Sequence, residues 1–517
     1  MDRTLILRLA ALMVTGFTVG TDFTGILLLV PAIEAHFGAD ITTTQWVLNL
    51  YALNFSVFMV CCGRLGDMHG HRTLMLLGAS VFLCATLACW ISPTIGWLIV
   101  ARGVQGVGAA MIWPSLIATA ANVAGSDEKR GISIGLVLAG VTTGNVVGPL
   151  IGGFADTFGD WRLFFVVNAA MAAVAGFMVY QFIPGKEQEK TDEQIDIVGL
   201  VVFGSAVLAV LFGLDVGADL GWLSLPIIAL FLTSVILFIA FPFIEARVRD
   251  PMIPVPMMRN KEFMLAVAAN ALIMPALFPA FLYFPQVMQK VLGWSVMEAS
   301  IGMSPLMVLL AVGSIFSGHF YNIFGPKKLL VFGYVIGSLG AAYVVLAPSS
   351  WGYFALLPAM LLFGVGASVA VGSSGTAAVG AVVPERAGMV GGLTFTVHLA
   401  FGALGVAAAT AIVYVTGSSG LNTGLSSAGI ELAQSKIDML NSATPDSAGV
   451  REVLASLKPG EANTVRELMI STFHAGVRNA YWLALFWAVV GVFAVLSIDE
   501  ERLKQAKDFK EPAKTTD

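Results

Sequence analysis

Apolar runs of roughly 20 residues, separated by short polar or glycine-rich connections, divide almost the whole chain. A run of that length crosses a hydrocarbon core of about 30 Å as a helix. The pattern predicts fourteen membrane helices, numbered 1 to 14 below, near residues 9–33, 43–62, 74–92, 96–121, 132–155, 161–183, 197–215, 222–244, 263–289, 297–320, 329–347, 353–381, 390–416 and 475–497. The first run is too long for the apolar segment of a cleavable signal and no clear cleavage site follows it, so it is expected to stay as helix 1. Residues 417–473 form the one long polar connection. Amphipathic stretches at 430–440 and 450–457 predict a partly helical, solvated lid or hairpin there, with a partner-binding surface as the alternative.

Composition agrees with this division. Of 517 residues, 57% are hydrophobic and only 12% charged, where soluble domains carry about 25%. Cys61, Cys62, Cys84 and Cys89 all lie in apolar runs without metal-ligand spacing, and are expected to be buried small hydrophobes. The net charge of −5 matters less than how the cations are sorted. Arg64, Arg72, Lys129, Arg130, Lys186, Lys190, Arg247, Arg249, Arg259, Lys261, Lys327, Lys328 and Arg386 fall on one side of the predicted helices, with Arg3, Arg8 and the cations of the C-terminal tail. The positive-inside rule makes that side cytoplasmic. Both termini are then cytoplasmic and 417–473 lies outside.

The chain also repeats itself. Gly63-Arg64-Leu65-Gly66-Asp67-Met68-His69-Gly70-His71-Arg72, between helices 2 and 3, has a weaker copy at Gly318-His319-Phe320-Tyr321-Asn322-Ile323-Phe324-Gly325-Pro326-Lys327-Lys328, 255 residues later. Gln105-Gly106-Val107-Gly108-Ala109 matches Phe363-Gly364-Val365-Gly366-Ala367 at an offset of 258, and Gly144 and Gly148 fall opposite Gly402 and Gly405. Helices 1–6 therefore correspond to helices 9–14, with helices 7 and 8 inserted between. Equivalent helices run the same way, so the halves are parallel repeats, which bind substrate between them near the midplane and alternate access by rocking. The expected divisions are 1–184 for the first six-helix bundle, 185–258 for the inserted pair with its flanking loops, and 259–517 for the second bundle.

Taken together, these motifs resemble the major facilitator superfamily, specifically its fourteen-helix drug:proton antiporter family. Thr21-Asp22-Phe23-Thr24 with Val30-Pro31-Ala32-Ile33 is similar to the family's Asp-x-Thr…Pro-x-Ile pattern. Gly63, Leu65, Asp67, Gly70 and Arg72 match its gating motif, with Met68 and His71 standing where that motif is commonly basic. Arg102 to Ala110 resembles helix 4, and Gly140, Gly144, Gly148-Pro149 and Gly152-Gly153 resemble the helix 5 pattern associated with exporters. Trp161-Arg162-Leu163-Phe164-Phe165 with Asn168 resembles the opening of helix 6, and Asp250-Pro251-Met252-Ile253-Pro254 the loop before helix 9. The resemblance covers essentially the whole chain. It implies an all-α membrane protein of the major facilitator fold, two six-helix bundles plus an inserted helix pair, in the inner (plasma) membrane.

Individual residues sharpen the expectation. Asp22 lies about 13 residues into helix 1, roughly 20 Å along it, at a depth where an unpaired carboxylate is expensive. It is placed to exchange a proton for a cationic substrate; the alternative is a carboxylate fixed by Thr21, Thr24 or a neighbouring helix. Arg102, the one cation deep in helix 4, is expected either to answer protonation of Asp22 or to clamp a network with Gln105. His398, where relatives often carry Arg or Gln, is a candidate second proton carrier or a polar packing residue. Asp67 and Arg72, with Gly63 and Gly70, are expected to form a latch. In it the carboxylate at the end of helix 2 caps a neighbouring helix N-terminus and pairs with cations. Gly144, Gly148, Pro149, Gly152 and Gly153 suit a hinge or ordinary small-residue packing. Tyr51, Asn54, Trp113, Phe278 and Tyr283, with Asp22, are the candidate substrate contacts; Trp46, Met274, Phe281 and Phe284 are weaker ones. Asp215, Asp219 and Glu298, at outer helix ends, are read as solvated, with recruitment of cations as the alternative.

No Gly-x-x-x-x-Gly-Lys-Ser/Thr loop points to nucleotide-driven transport, and neither a metal-ligand cluster nor a nucleophile–base pair points to an enzyme. The expected function is a monomeric, proton-coupled exporter of amphipathic, cationic drugs or toxic compounds. It would need no cofactor beyond the proton gradient, and its partners would be small amphipathic substrates, protons and the lipid bilayer, not nucleic acid. A dedicated exporter of one metabolite, lipid or antibiotic is the nearest alternative. A receptor or scaffold using the outer loop is the more distant one.

Overall fold

The computed structural model describes residues 3–501 apart from 40, 124–126, 158–159, 186–195, 348–351, 383–385 and 443–447. Every regular element among the described residues is a helix, and 14 of the helices are long and apolar enough to cross a membrane. The first half contributes Arg3–Gly25, Thr43–His69, His71–Trp90, Ile95–Val123, Lys129–Ala155 and Arg162–Phe182; the inserted pair is Ile197–Gly217 and Leu225–Glu245. The second half contributes Lys261–Lys290, Met297–Phe324, Pro326–Leu346, Tyr353–Gly380, Ala387–Ser427 and Gly460–Leu496. Lys186 and Lys190 lie outside the described residues.

Local chemistry sets the helix ends. Gly70 and Gly325, equivalent in the repeat, both have positive φ, +96° and +80°, a region that L side chains enter only with strain. Each turns the chain sharply between two helices. Asp196 caps helix 7 by accepting the Gly199 N–H at 2.7 Å, and Asn260 caps helix 9 through the N–H groups of Glu262 and Phe263. Glu298 closes a capping box with Ser295 at the start of helix 10, so its carboxylate is committed to that helix end rather than to recruiting cations. Helix 1 continues through a 3-10 turn at Ile26–Leu29 into Val30–Phe37. Helix 9 breaks between Ala271 and Met274, and helix 10 at Met303, each just before a helical proline, whose missing N–H resets the hydrogen bonding.

Packing repeats as the sequence does. Helix 5 lies along helix 1, and helix 13 along helix 9. Gly144 and Gly148 meet backbone of helix 1, at Phe17 and Thr21, while Gly405 meets the backbone of Pro275 in helix 9. Gly108 presses on Gly78 and Phe82, as its equivalent Gly366 presses on Gly333 and Gly337. Between the halves, helix 2 packs on helix 13 and helix 5 on helix 10. Helix 7 packs on helices 8, 2 and 13. Helix 8 turns Leu232, Val235, Ile236, Ile239 and Phe243 outward, all exposed, as a surface facing lipid requires. Cys61, Cys62 and Cys89 are buried, but Cys84 is exposed on the outside of helix 3, which corrects its expected burial.

The long connection is partly helical, as expected. Helix 13 runs unbroken for 41 residues to Ser427, and the last helix starts at Pro459. Short helices Gln434–Ser442 and Ala448–Ala455 fill the gap between them. Leu421, Leu425, Ile437, Leu440, Val450, Val453, Val465 and Met469 close into a separate apolar core. The result is a small helical knob continuous with two membrane helices. Below, the end of the bundle that carries residues 63–72 and 318–328 is called the motif end.

Candidate functional site

Three helices of the first half aim polar side chains at one point. Asp22 on helix 1 and Gln105 and Arg102 on helix 4 are buried. Arg102 donates to Asp22 Oδ2 at 2.7 Å and to Gln105 Oε1 at 2.7 Å. Gln105 donates to Asp22 Oδ1 at 2.9 Å and to Thr86 Oγ1 at 2.7 Å. The Arg102 Nε reaches the Val47 carbonyl at 3.2 Å, and its guanidinium lies 4.1 Å from the Tyr51 ring centroid. Both carboxylate oxygens thus have charge-assisted or amide donors, which is what allows a carboxylate to stay buried. Because helix 4 places Arg102 and Gln105 three residues apart on one face, a change in charge at Asp22 is felt by both.

From Tyr51 an aromatic series crosses to the other half. Phe23, Tyr51 and Phe55 stand mutually within 6.4 Å, Phe55 is 6.2 Å from Trp113, and Trp113 is 4.0 Å from Phe395. Phe395 stacks on His398 at 4.9 Å, and His398 meets Phe278 edge-on at 5.6 Å. His398 Nδ1 is 3.0 Å from Asn270 Oδ1, and Asn270 donates to Ser374 Oγ at 3.0 Å. The structure therefore brings Asp22, Arg102, Tyr51, Trp113, Phe278 and His398 onto one path between the halves.

Two of the candidate contacts bond within the protein. Asn54 donates to the Gly103 carbonyl at 3.0 Å, joining helix 2 to helix 4. Tyr283 donates to Thr410 at 2.9 Å and neighbours Phe473, on the face of helix 9 turned to helices 13 and 14. Among the weaker candidates, Trp46 packs on Phe212 of helix 7 and Phe284 stacks on Tyr481; Asp215 accepts from Asn49 at 2.6 Å. The side chain of Asp219 lies outside the described residues. Phe55 and Phe395 were missed. Each stands one turn from a named residue, Tyr51 and His398, and that helical spacing is the signal that locates them.

At the motif end Asp67 caps helix 13. Its Oδ1 accepts the Gly388 N–H and its Oδ2 the Met389 N–H, both at 2.8 Å, so a carboxylate of one half sits on the positive N-terminus of a helix in the other. His71 Nε2 lies 3.1 Å from Asp67 Oδ1. Arg72 is corrected: it donates to the Tyr180 carbonyl at 2.9 Å, over the Tyr180 ring, and holds helix 6 within its own half. Gly63 meets the backbone of Gly388, and the equivalent Gly318 meets that of Gly131. On helix 5, Gly144, Gly148 and Gly152 each touch backbone of helix 1, and that helix passes through Pro149 and Gly153 without a break.

The family described as Major Facilitator Superfamily matches residues 12–406. The tetracenomycin C resistance and export protein of Streptomyces glaucescens is 27% identical over 519 residues, 98% of this chain and 94% of that protein. The multidrug resistance protein Stp of Mycobacterium tuberculosis is 27% identical over 393 residues, 76% of this chain and 73% of that protein. Among solved structures, the human organic anion transporter MFSD10 superposes with a TM-score of 0.61 at 13% identity, over 94% of this chain and 100% of that one. A bacterial Spinster homologue in an inward-facing, unoccupied conformation gives 0.57 at 16% identity, over 98% and 99%.

Proposed function

This chain belongs to the major facilitator superfamily, and from that premise we propose that it is a proton-driven antiporter exporting amphipathic, cationic drugs or toxic compounds across the plasma membrane. The observation that carries the reading is the buried Asp22–Arg102–Gln105 network, with Tyr51 laid over the guanidinium. The motif end faces the cytoplasm, because the cations concentrate there. Both termini are then cytoplasmic and the knob outside, and the protein works as a monomer.

Asp22 carries one charge that a proton and a cationic substrate compete for. A proton arriving from outside neutralises the carboxylate, frees Arg102 toward Gln105 and Tyr51, and releases the substrate outward. Loss of that proton toward the cytoplasm restores the charge and draws in the next substrate. The aromatic series from Tyr51 to Phe278 supplies the apolar contact area, and stacking there tolerates many ring systems. Asp67 on the helix 13 N-terminus holds the cytoplasmic side shut during the outward phase. The glycines of helix 5 let it rock on helix 1. His398 is the second group able to take part in proton movement.

A second reading is a dedicated exporter of a single antibiotic. It is favoured by the similarity, across 98% of this chain, to a protein named for resistance to and export of tetracenomycin C. One experiment separates the two: efflux from reconstituted liposomes under an imposed pH gradient, offered cationic dyes, neutral drugs and lipids. Export of several unrelated cations supports the first reading, and export of one compound alone the second. Transport that ignores the pH gradient for every compound would remove proton coupling from both.

A further inference from the structure

The inserted helices carry a buried pair of acids that the transport path does not use. Asp196 caps the start of helix 7 and Glu245 ends helix 8; they are 8% and 1% exposed. Each has one satisfied oxygen. Asp196 Oδ1 accepts the Gly199 N–H at 2.7 Å, and Glu245 Oε2 accepts the Ile253 N–H at 3.4 Å. The remaining oxygens, Asp196 Oδ2 and Glu245 Oε1, are buried and have no donor among the described residues. Both converge on the α-carbon of Gly199, where an added Cβ would strike the two of them at once. Two carboxylates whose facing oxygens find no donor among the described residues repel in a poorly solvated place. One hydrogen between the facing oxygens removes the repulsion and satisfies both.

We propose that Asp196 and Glu245 are a one-proton site that fastens helix 7 to helix 8 at the motif end. The site adjoins the seam between the halves. A cavity of about 10 Å³, room for a single water, touches Asp196 and is lined also by Arg64, Leu65 and Met68 of the residue 63–72 segment and by Asp250 and Met252. Among the described residues, Arg64 of helix 2 and Asp250 of the loop before helix 9 are the charged groups that line this cavity beside Asp196. Helix 13 brings no acid, lysine or arginine to it. Helix 7 lies on both helix 2 and helix 13, so the proton holds in place a helix that bridges the two moving bodies. The site stands apart from Asp22 and survives if the export reading fails.

The test is unfolding of the purified full-length protein in detergent from about pH 6 to about pH 9. The folded state keeps a proton that the separated, solvated carboxyls of the unfolded chain release, so stability falls as pH rises. One proton weakens the folding equilibrium by up to about tenfold per pH unit. Glu245→Gln and Asp196→Asn each replace the shared hydrogen with an amide donor. Both are expected to fold, to flatten the pH dependence, and to lose one protonated-carboxyl C=O band from the infrared spectrum. Variants that keep the parental pH slope and the full infrared band would overturn the proposal. So would failure of both variants to fold at any pH, because an amide supplies the donor that the proton supplies.

Discussion

Asp22, Arg102 and Gln105 were legible in the sequence because charge inside an apolar run is expensive and must be answered nearby. Two of the three have opposite charge, and their depths match. What the sequence withheld was azimuth: Asn54 donates to Gly103 and Tyr283 to Thr410, each on a neighbouring helix. The buried pair can be measured directly. Removing one partner of a buried ion pair costs about 3–5 kcal/mol, because the other charge is left uncompensated. Arg102→Met should therefore destabilise by that order, and Arg102→Met with Asp22→Asn by clearly less than the sum of the single changes; additive losses in a denaturation cycle would show the two to be uncoupled. Asp22→Asn keeps an acceptor for Arg102 but cannot carry a proton. It should leave folded protein in the membrane with pH-driven efflux largely abolished, and near-normal efflux of every active compound would reduce Asp22 to a packing residue.

At the scale of elements, run length alone located the fourteen membrane helices, since each must cover the same hydrocarbon thickness. Three features escaped that argument. The breaks in helices 9 and 10 follow from prolines whose effect depends on their neighbours. Helices 13 and 14 extend past the apolar runs because helix formation continues wherever partners are available, and polar residues do not end it. The third is Arg72, which matches a motif residue but bonds helix 6. Asp67, not Arg72, spans the halves. Asp67→Asn should shift labelling of cysteines placed at the motif end, in a background lacking the native four, by roughly 5–150-fold, the range of a coupling of about 1–3 kcal/mol. Arg72→Ala should change that labelling far less; equal effects would mean the cap on helix 13 is not what holds the end closed. The knob is an element in its own right. Val465→Asp places a charge in its separate core and should expose the knob helices Gln434–Ser442 and Ala448–Ala455 to protease while leaving membrane insertion intact, a result readable by limited digestion in intact cells. Loss of insertion would instead make the knob part of the folding core.

For the whole molecule, the spacing of glycines along the chain pairs helices 1–6 with helices 9–14. It showed which positions are equivalent but not which ones meet. In the structure Gly63 lies on Gly388 and Gly131 on Gly318, so each contact joins the end of one repeat unit to the start of its counterpart's helix. Backbone touches backbone at both places, and neither contact can yield by turning a side chain. Gly318→Leu should therefore prop the motif end apart, raising cysteine labelling there as strongly as Asp67→Asn does, and unchanged labelling would place the seam elsewhere.

Helix 13 begins under the Asp67 carboxylate and ends, 41 residues later, inside the knob. At 1.5 Å per residue that is a rod of about 60 Å, anchored at the motif end by the Asp67 cap and packed into the knob at the other. A tilt of about 10° at the anchor moves the knob end of a rod that long by roughly 10 Å. In the orientation proposed above, the knob is then a pointer outside the cell whose position follows the angle between the halves. A fluorophore on its surface, read against one on the outer end of helix 1, would follow single transport cycles without touching the substrate path, and an antibody fragment that grips the knob would hold the machine at one point of its stroke.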